Sequence, residues 1–177
     1  MICGDEKFGN CNRKDWFARM LSTFIESKTA PSPESCQINA FYLVPVDFLS
    51  KMIVCGALHA LNSSNNDIFF NISNMSNKRG VEYKEIASSL SSNFVDQIKF
   101  FEKYSDWFQF VVSDHSSPLF PVRSMFSKTL AGTSKDVDMK SSFFLLDSYN
   151  QFHSDSPIKC PEIDSNYITK FIKFLSK

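Results

Sequence analysis

Between Pro45 and the polar run Asn62 to Asp67 lie sixteen residues, Val46 to Leu61, with apolar side chains on almost every side of a helix: Val46, Phe48, Leu49, Met52, Ile53, Val54, Cys55, Ala57, Leu58, Ala60 and Leu61. A helix on the surface of a folded chain needs only one apolar stripe, whereas a helix that is apolar all round must be covered on all sides. The pattern therefore predicts a central buried helix with the rest of the chain wrapped about it. Pro45 suits the first helical turn, where a missing N–H is harmless, and the Asn and Ser residues after Leu61 stop the helix. The segment would extend for about 24 Å, enough for a domain core and too short for a bilayer.

Two further segments have the narrower stripe of helices that dock on such a core. Asp15 to Ser27 carries Trp16, Phe17, Met20, Leu21, Phe24 and Ile25, and Ser165 to Lys177 carries Tyr167, Ile168, Phe171, Ile172, Phe174 and Leu175. In the second, Glu162 and Asp164 fall near the start and Lys170, Lys173 and Lys177 toward the end, as the helix dipole favours. Thr29 to Ser35, with two prolines, reads as a loop. Ile38 to Leu43 reads as a short strand or an extended lead-in to the helix, Asp67 to Ile72 as a short strand, and Ser73 to Gly80 as a polar loop carrying Lys78 and Arg79. Ser127 to Lys140 is polar and mixed in charge, the best candidate for a mobile loop; apolar structure restarts at Ser142 to Leu146, and Asn150 to Pro161 is rich in turn residues.

A chain of 177 residues with 43% hydrophobic content can bury a substantial core. One compact domain is expected, in three parts: residues 1–80 with the central helix, residues 81–126, and residues 127–177. Nineteen basic residues balance nineteen acidic ones, so no overall field draws the chain to nucleic acid or anionic lipid. Only five glycines stand against nineteen phenylalanines, which argues against glycine-dependent phosphate cradles. The five cysteines, Cys3, Cys11, Cys36, Cys55 and Cys160, are odd in number and scattered, as expected of reduced thiols in a cytoplasm. In that compartment the sequons at Asn62, Asn71 and Asn74 have no meaning. The first ten residues show no secretory leader, and no apolar run is long enough to span a membrane.

The period of the sequence changes within Val81 to Phe126. Glu82 to Leu90 reads as a short helix with Ile86 and Leu90 four apart, Ser91 to Asn93 as a turn, and Phe94 to Trp107 as a second helix. Phe108 to Val112 is aromatic and β-branched, Ser113 to Pro118 has turn composition, and Leu119 to Phe126 can return as a partner strand. This order, helix, turn, helix, strand, turn, strand, resembles a winged helix-turn-helix, with Phe94 to Trp107 in the recognition-helix position. The resemblance implies an α+β, mainly helical fold with a winged core and added helices at both ends. It also implies that Ile86, Leu90, Phe94, Ile98 and Phe101 are buried together.

DNA-binding members of such a family need a basic helix face, because neutralising phosphates supplies most of their affinity. Here the polar side of the second helix holds Asp96, Lys99, Glu102, Lys103 and Asp106, three acids against two bases. The opposite side carries more aromatic residues than one core consumes, and Phe100, Tyr104 and Trp107 lie beside the inward stripe. They are the expected partner-binding residues, since clustered aromatics remove large areas from water at small entropic cost. In size, pattern and neutral charge the chain looks like the small winged-helix subunits that sit on the heads of SMC-like ATPases, in chromosome maintenance and in Lamassu-type plasmid defence. That resemblance implies a non-enzymatic accessory subunit of a prokaryotic complex, bound to a larger protein, with no cofactor. The alternative is a DNA-binding regulator that contacts phosphates through Lys78, Arg79, Arg123 and Lys128.

Three patterns invite a chemical reading. Cys55 and His59 lie four apart on one helix, but two ligands do not complete a metal site. Asp114 and His115 are neighbours in a turn, and neither stands near a nucleophile motif. Asp67 followed by Glu82-Tyr83-Lys84 resembles the D…ExK spacing of metal-dependent nucleases, in which two carboxylates hold Mg²⁺ and the lysine sits beside the attacked phosphate. Those nucleases place ExK on a central strand, whereas here the sequence continues as a helix. No catalytic, cofactor-binding or metal residue is therefore assigned.

Overall fold

A computed structural model describes residues 1–36, 40–62, 80–94, 97–129, 158 and 160–177, without the side chains of residues 40, 59, 60, 62 and 127–129. The chain is α+β and mainly helical, as expected. Its main core is built from three helices: α1 (Trp16–Ser27), α3 (Tyr83–Asn93) and α6 (Ser165–Leu175). Phe17 of α1 stacks on Phe171 of α6 at 5.7 Å between ring centroids, and Ile86 and Leu90 of α3 are buried in the same cluster with Ile168 and Ile172. The ends of these helices follow from sequence. Asp164 accepts the Tyr167 N–H at 2.8 Å, and Glu82 and Glu85 form a reciprocal capping box that holds the start of α3. Helix α1 closes on Lys28 in the left-handed region, φ 53°, which turns the chain directly into a strand.

The strands are short and come in pairs. Among the described residues, β1 (Ile2–Cys3) runs parallel to β4 (Val44–Pro45), β2 (Thr29–Pro31) runs parallel to β6 (Lys99–Phe101), and β3 (Ala40–Phe41) runs antiparallel to β5 (Val81–Glu82). Each ties distant parts of the chain to the helical core. Tyr83 reinforces the arrangement, its buried hydroxyl donating to the Pro31 carbonyl at 2.8 Å.

The turn after β1 is held by Asp5, whose carboxylate accepts the backbone N–H groups of Lys7, Phe8 and Asn10. Burial pushes this carboxyl up, but the three N–H donors outweigh it and hold the group below the ordinary carboxylate range. Gly9 lets the turn sit against α6. Its φ is 73°, and a Cβ there would stand 2.8 Å from the Lys170 carbonyl carbon and the Phe171 Cα. Both the conformation and the contact with immovable backbone oppose a side chain. Gly9→Ala should therefore cost about 2–4 kcal/mol, measured by urea unfolding. A loss under about 0.5 kcal/mol, the range of ordinary surface substitutions, would show that the turn does not pack on α6 as described.

Two main expectations are corrected, besides the loop read over Thr29 to Ser35, whose first three residues form strand β2. Helix α2 (Val46–Asn62) is not central. It buries Phe48 and Met52 with Val44 in a small separate cluster, while Ile53, Val54, Leu58 and Leu61 are 46% to 81% exposed. The composition predicts how much cover α2 needs but not where that cover comes from. The second correction concerns Phe94 to Phe126, where the winged order is not followed. Lys99–Phe101 is strand β6, helix α4 runs Tyr104–Ser113, a 3-10 turn covers Phe120–Val122, and helix α5 covers Arg123–Thr129.

The reason lies in which stripe the core takes up. Tyr104, Trp107 and Val111, spaced by three and four, are buried together, so the aromatic and β-branched run that favours a strand in isolation is drawn into a helix. Pairing of Ala30 with Phe100 and Pro31 with Phe101 extends the segment before it. As a result Phe94, Ile98 and Phe101 are only half-buried, and Ile86 and Leu90 alone of that expected set are fully inside. The mobile-loop assignment also starts too early, since positions 127–129 are helical. The strand expected at Asp67 to Ile72 and the apolar restart at Ser142 to Leu146 lie outside the described residues.

Candidate functional site

Of the three aromatics expected at a partner surface, two belong to the chain's own interior. Trp107 is completely buried, with its indole 5.4 Å from the Phe24 ring and 5.6 Å from Tyr104. Tyr104 is buried as well, and its hydroxyl donates to the Phe126 carbonyl at 3.2 Å. Phe100 is half-buried in β6 opposite Ala30. The aromatic surplus is thus absorbed by α1 and by the start of α5. Tyr104 and Trp107 leave no open aromatic face, while Phe100 stays partly exposed.

Of the expected phosphate contacts, Arg123 alone has its side chain among the described residues. Arg123 lies on α5 with its guanidinium 3.9 Å from the Phe120 ring centroid and one N–H donated to the Phe120 carbonyl at 2.9 Å. Lys128 is on the same helix with its side chain outside the described residues, as are Lys78 and Arg79 altogether. For the D…ExK pattern, Lys84 Nζ is 2.6 Å from Glu82 Oε2, and Glu82 is used to cap α3; Asp67 lies outside the described residues. Both partners of that ion pair are well exposed, where such a pair is worth little, and its geometry is that of a helix start.

Asp114 accepts from Ser116 Oγ at 2.6 Å and from Ser116 N at 2.8 Å, bonds that hold its carboxyl below the usual range. His115 packs against the Phe120 ring at 4.4 Å. These two residues shape a turn. Cys55 is half-buried on α2, and the His59 side chain is not described. Among the described residues no three His, Cys, Asp or Glu side chains gather as metal ligands.

Three of the five thiols, Cys3, Cys11 and Cys160, are poorly suited to nucleophilic work. Cys3 is buried, and burial pushes it up to about 12; the Tyr167 hydroxyl lies 2.9 Å from its sulfur. Because that hydroxyl donates its single proton to the Gly4 carbonyl, the thiol is the donor toward the tyrosine oxygen. Burial likewise pushes Cys11 and Cys160 up to about 11. At neutral pH all three are thiols, the unreactive form. A groove of about 400 Å³ runs between the C-terminal ends of α1 and α4, but the Ser27 and Ser113 hydroxyls that line it donate to the carbonyls of Thr23 and Phe110.

What sequence reasoning missed is the outer side of α2. Val46, Ile53, Val54, Leu58 and Leu61 are exposed together on one helix that springs directly from β4. The signal was present, since an all-round apolar helix announces the need for cover, but nothing in the pattern separates cover by this chain from cover by another body. No described helix is long and apolar enough to cross a membrane.

No family model and no curated protein matches the sequence. A solved structure is similar: the terminal R domain from the myxalamid PKS-NRPS biosynthetic pathway, with a TM-score of 0.67 and 19% identity, matched over 98% of this chain and 41% of that one. The likeness is one of fold. This chain spans less than half the length of the chain it resembles.

Proposed function

We propose that this chain is a non-enzymatic building unit of a larger assembly of the PKS-NRPS terminal-domain kind, supplying packed scaffold and a contact face while the reacting groups come from elsewhere. The observation that carries this reading is that nearly all of the chain superposes on well under half of a terminal R domain. Two features support it. The exposed apolar side of α2 is what a unit leaves open when its fold continues into another body. Among the described residues, Cys3 is buried with its thiol pushed up, Glu82 sits on the start of α3 and Asp114 is held in its own turn, so these three are engaged in structure.

The accessory role expected from the sequence is kept in this form. Its SMC-like setting and the DNA-regulator alternative both leaned on a winged order that the elements between Phe94 and Phe126 do not follow, and the nuclease alternative leaned on a lysine that faces Glu82. The test is sedimentation of native extract with detection by an antibody to this chain. Co-sedimentation with a large polypeptide whose sequenced peptides carry PKS-NRPS modules is the expected result; a particle the size of this chain alone would overturn the proposal.

A further inference from the structure

We infer that the groove between the C-terminal ends of α1 and α4 is a binding site for a small organic cation, a primary ammonium or guanidinium carried on a short apolar stem. The groove encloses about 400 Å³, the size of a small-molecule site, and shares no residue with the exposed side of α2. One wall is apolar and consists of Phe110, Val111 and Pro118. The Phe110 ring is steadied by Phe101 at 5.6 Å between centroids and still stays half exposed. The other wall is polar and bears the carboxylates of Glu26 and Asp114.

That polar wall accepts hydrogen bonds and has few to give. Four of its hydroxyls spend their protons inside the structure: Thr23 donates to the Arg19 carbonyl, Ser27 to the Thr23 carbonyl, Ser113 to the Phe110 carbonyl and Ser116 to Asp114. A hydroxyl has a single proton, so these groups can offer a ligand only lone pairs. The fifth, Ser117, is buried and accepts the Leu119 N–H. Both Ser116 bonds fall on Asp114 Oδ1, which leaves Oδ2 without a hydrogen-bond partner among the described residues, and the Glu26 carboxylate has none there either.

The charge around the groove has the same sign from an independent source. Neither α1 nor α4 carries a basic residue in its last turn, so the negative ends of two helix dipoles converge on the opening uncompensated from within. No lysine, arginine or histidine is among the lining residues. Arg19 comes to the edge by donating to the Pro118 carbonyl, with its Nε–H given to the Lys14 carbonyl; Lys28 follows α1 outside the lining, and the His115 ring packs on Phe120. An anion would meet two carboxylates and no cation here. A divalent metal ion lacks a ligand set, since among the described residues no three His, Cys, Asp or Glu side chains gather, and the apolar wall gives a hydrated ion nothing. A cationic donor on an apolar stem uses both walls: its N–H groups reach the carboxylates, and its stem and charge lie on the Phe110 ring.

The probe is pentylamine, a cation at neutral pH, titrated at low salt into the isotope-labelled full chain and followed by NMR. Pentanol and pentanoate serve as its neutral and anionic counterparts. The expected result is a set of saturating amide shifts centred on Thr23 to Ser27 and Val111 to Ser117, with a Kd of about 1 mM and with no saturation by pentanol or pentanoate. Glu26→Gln and Asp114→Asn should each weaken binding about threefold, and the pair together about tenfold. Phe110→Ala should weaken it about threefold as well. All three side chains are exposed, and asparagine keeps an acceptor for Ser116, so thermal melting should be unchanged. Should Asp114→Asn alter the turn, Glu26→Gln decides alone. Nα-acetyl-lysine amide binding more tightly than pentylamine would support the site with a lysine side chain as its source of cation, and the reverse order would support it with a free amine. Equal binding of pentanol, shifts centred elsewhere, displacement of pentylamine by MgCl2 at equal ionic strength, or full binding by the Glu26→Gln/Asp114→Asn variant each overturns the inference.

Discussion

Trp107→Ala is expected to abolish cooperative folding or to bring the chain close to that point. The indole is completely buried between Phe24 and Tyr104, and it joins α4 to α1. Removing a side chain of this size leaves a cavity that the surrounding helices refill only in part, at a cost of about 3–5 kcal/mol. Domains of this kind hold only about 5–15 kcal/mol in all, so one substitution takes away a large share. Trp107→Phe separates packing from polarity. The indole N–H is buried without an acceptor among the described residues, and removing such a donor recovers about 1–3 kcal/mol, which offsets most of the loss from the smaller ring. Phenylalanine should therefore fall within about 1 kcal/mol of the native chain, measured by urea unfolding followed by circular dichroism. If alanine cost no more than phenylalanine, Trp107 could not be a core anchor, and a partner-facing role for this aromatic would return.

The second large effect distinguishes the observed arrangement from the winged one. Ile86→Asp places an unpaired charge at a site with no solvent exposure in the middle of α3, and the loss should reach about 4 kcal/mol or more, enough to remove the unfolding transition. Ile98→Asp lies between α3 and β6 at a half-buried position where the carboxylate can turn to water, so about 1–2 kcal/mol is expected, with the fold retained. A winged helix-turn-helix would bury both isoleucines in one core and make the two substitutions equally severe. Paired thermal melts of the two variants are sufficient. Equal loss in both would favour the winged arrangement over the one described.

Where local chemistry dominates, the sequence alone was enough. Asp15 and Asp164 stand at the starts of α1 and α6, the apolar stripes of those helices are the stripes they bury, and the expected helix over Glu82 to Leu90 differs from α3 by a residue at one end and a turn at the other. Caps and 3.6-residue stripes act over a few residues, so they can be seen without knowing what the helix meets. The predominance of helix in an α+β chain follows from the same local signals.

Tertiary structure alone decided the rest. Lys99 to Phe101 became a strand because Thr29 to Pro31, some seventy residues earlier in the chain, offers a parallel partner, and Phe108 to Val112 became helix because Phe24 and Phe126 receive the Tyr104 and Trp107 side of α4. Short aromatic runs carry no preference strong enough to resist such contacts, and their conformation is set by whichever neighbour covers them. Helix α2 shows the same division within one element. Its residues determine that it is a helix and that it wants cover on every side, while the contacts of Val44, Phe48 and Met52 determine which side this chain covers, because burial depends on what is brought near and not on how apolar the side chain is.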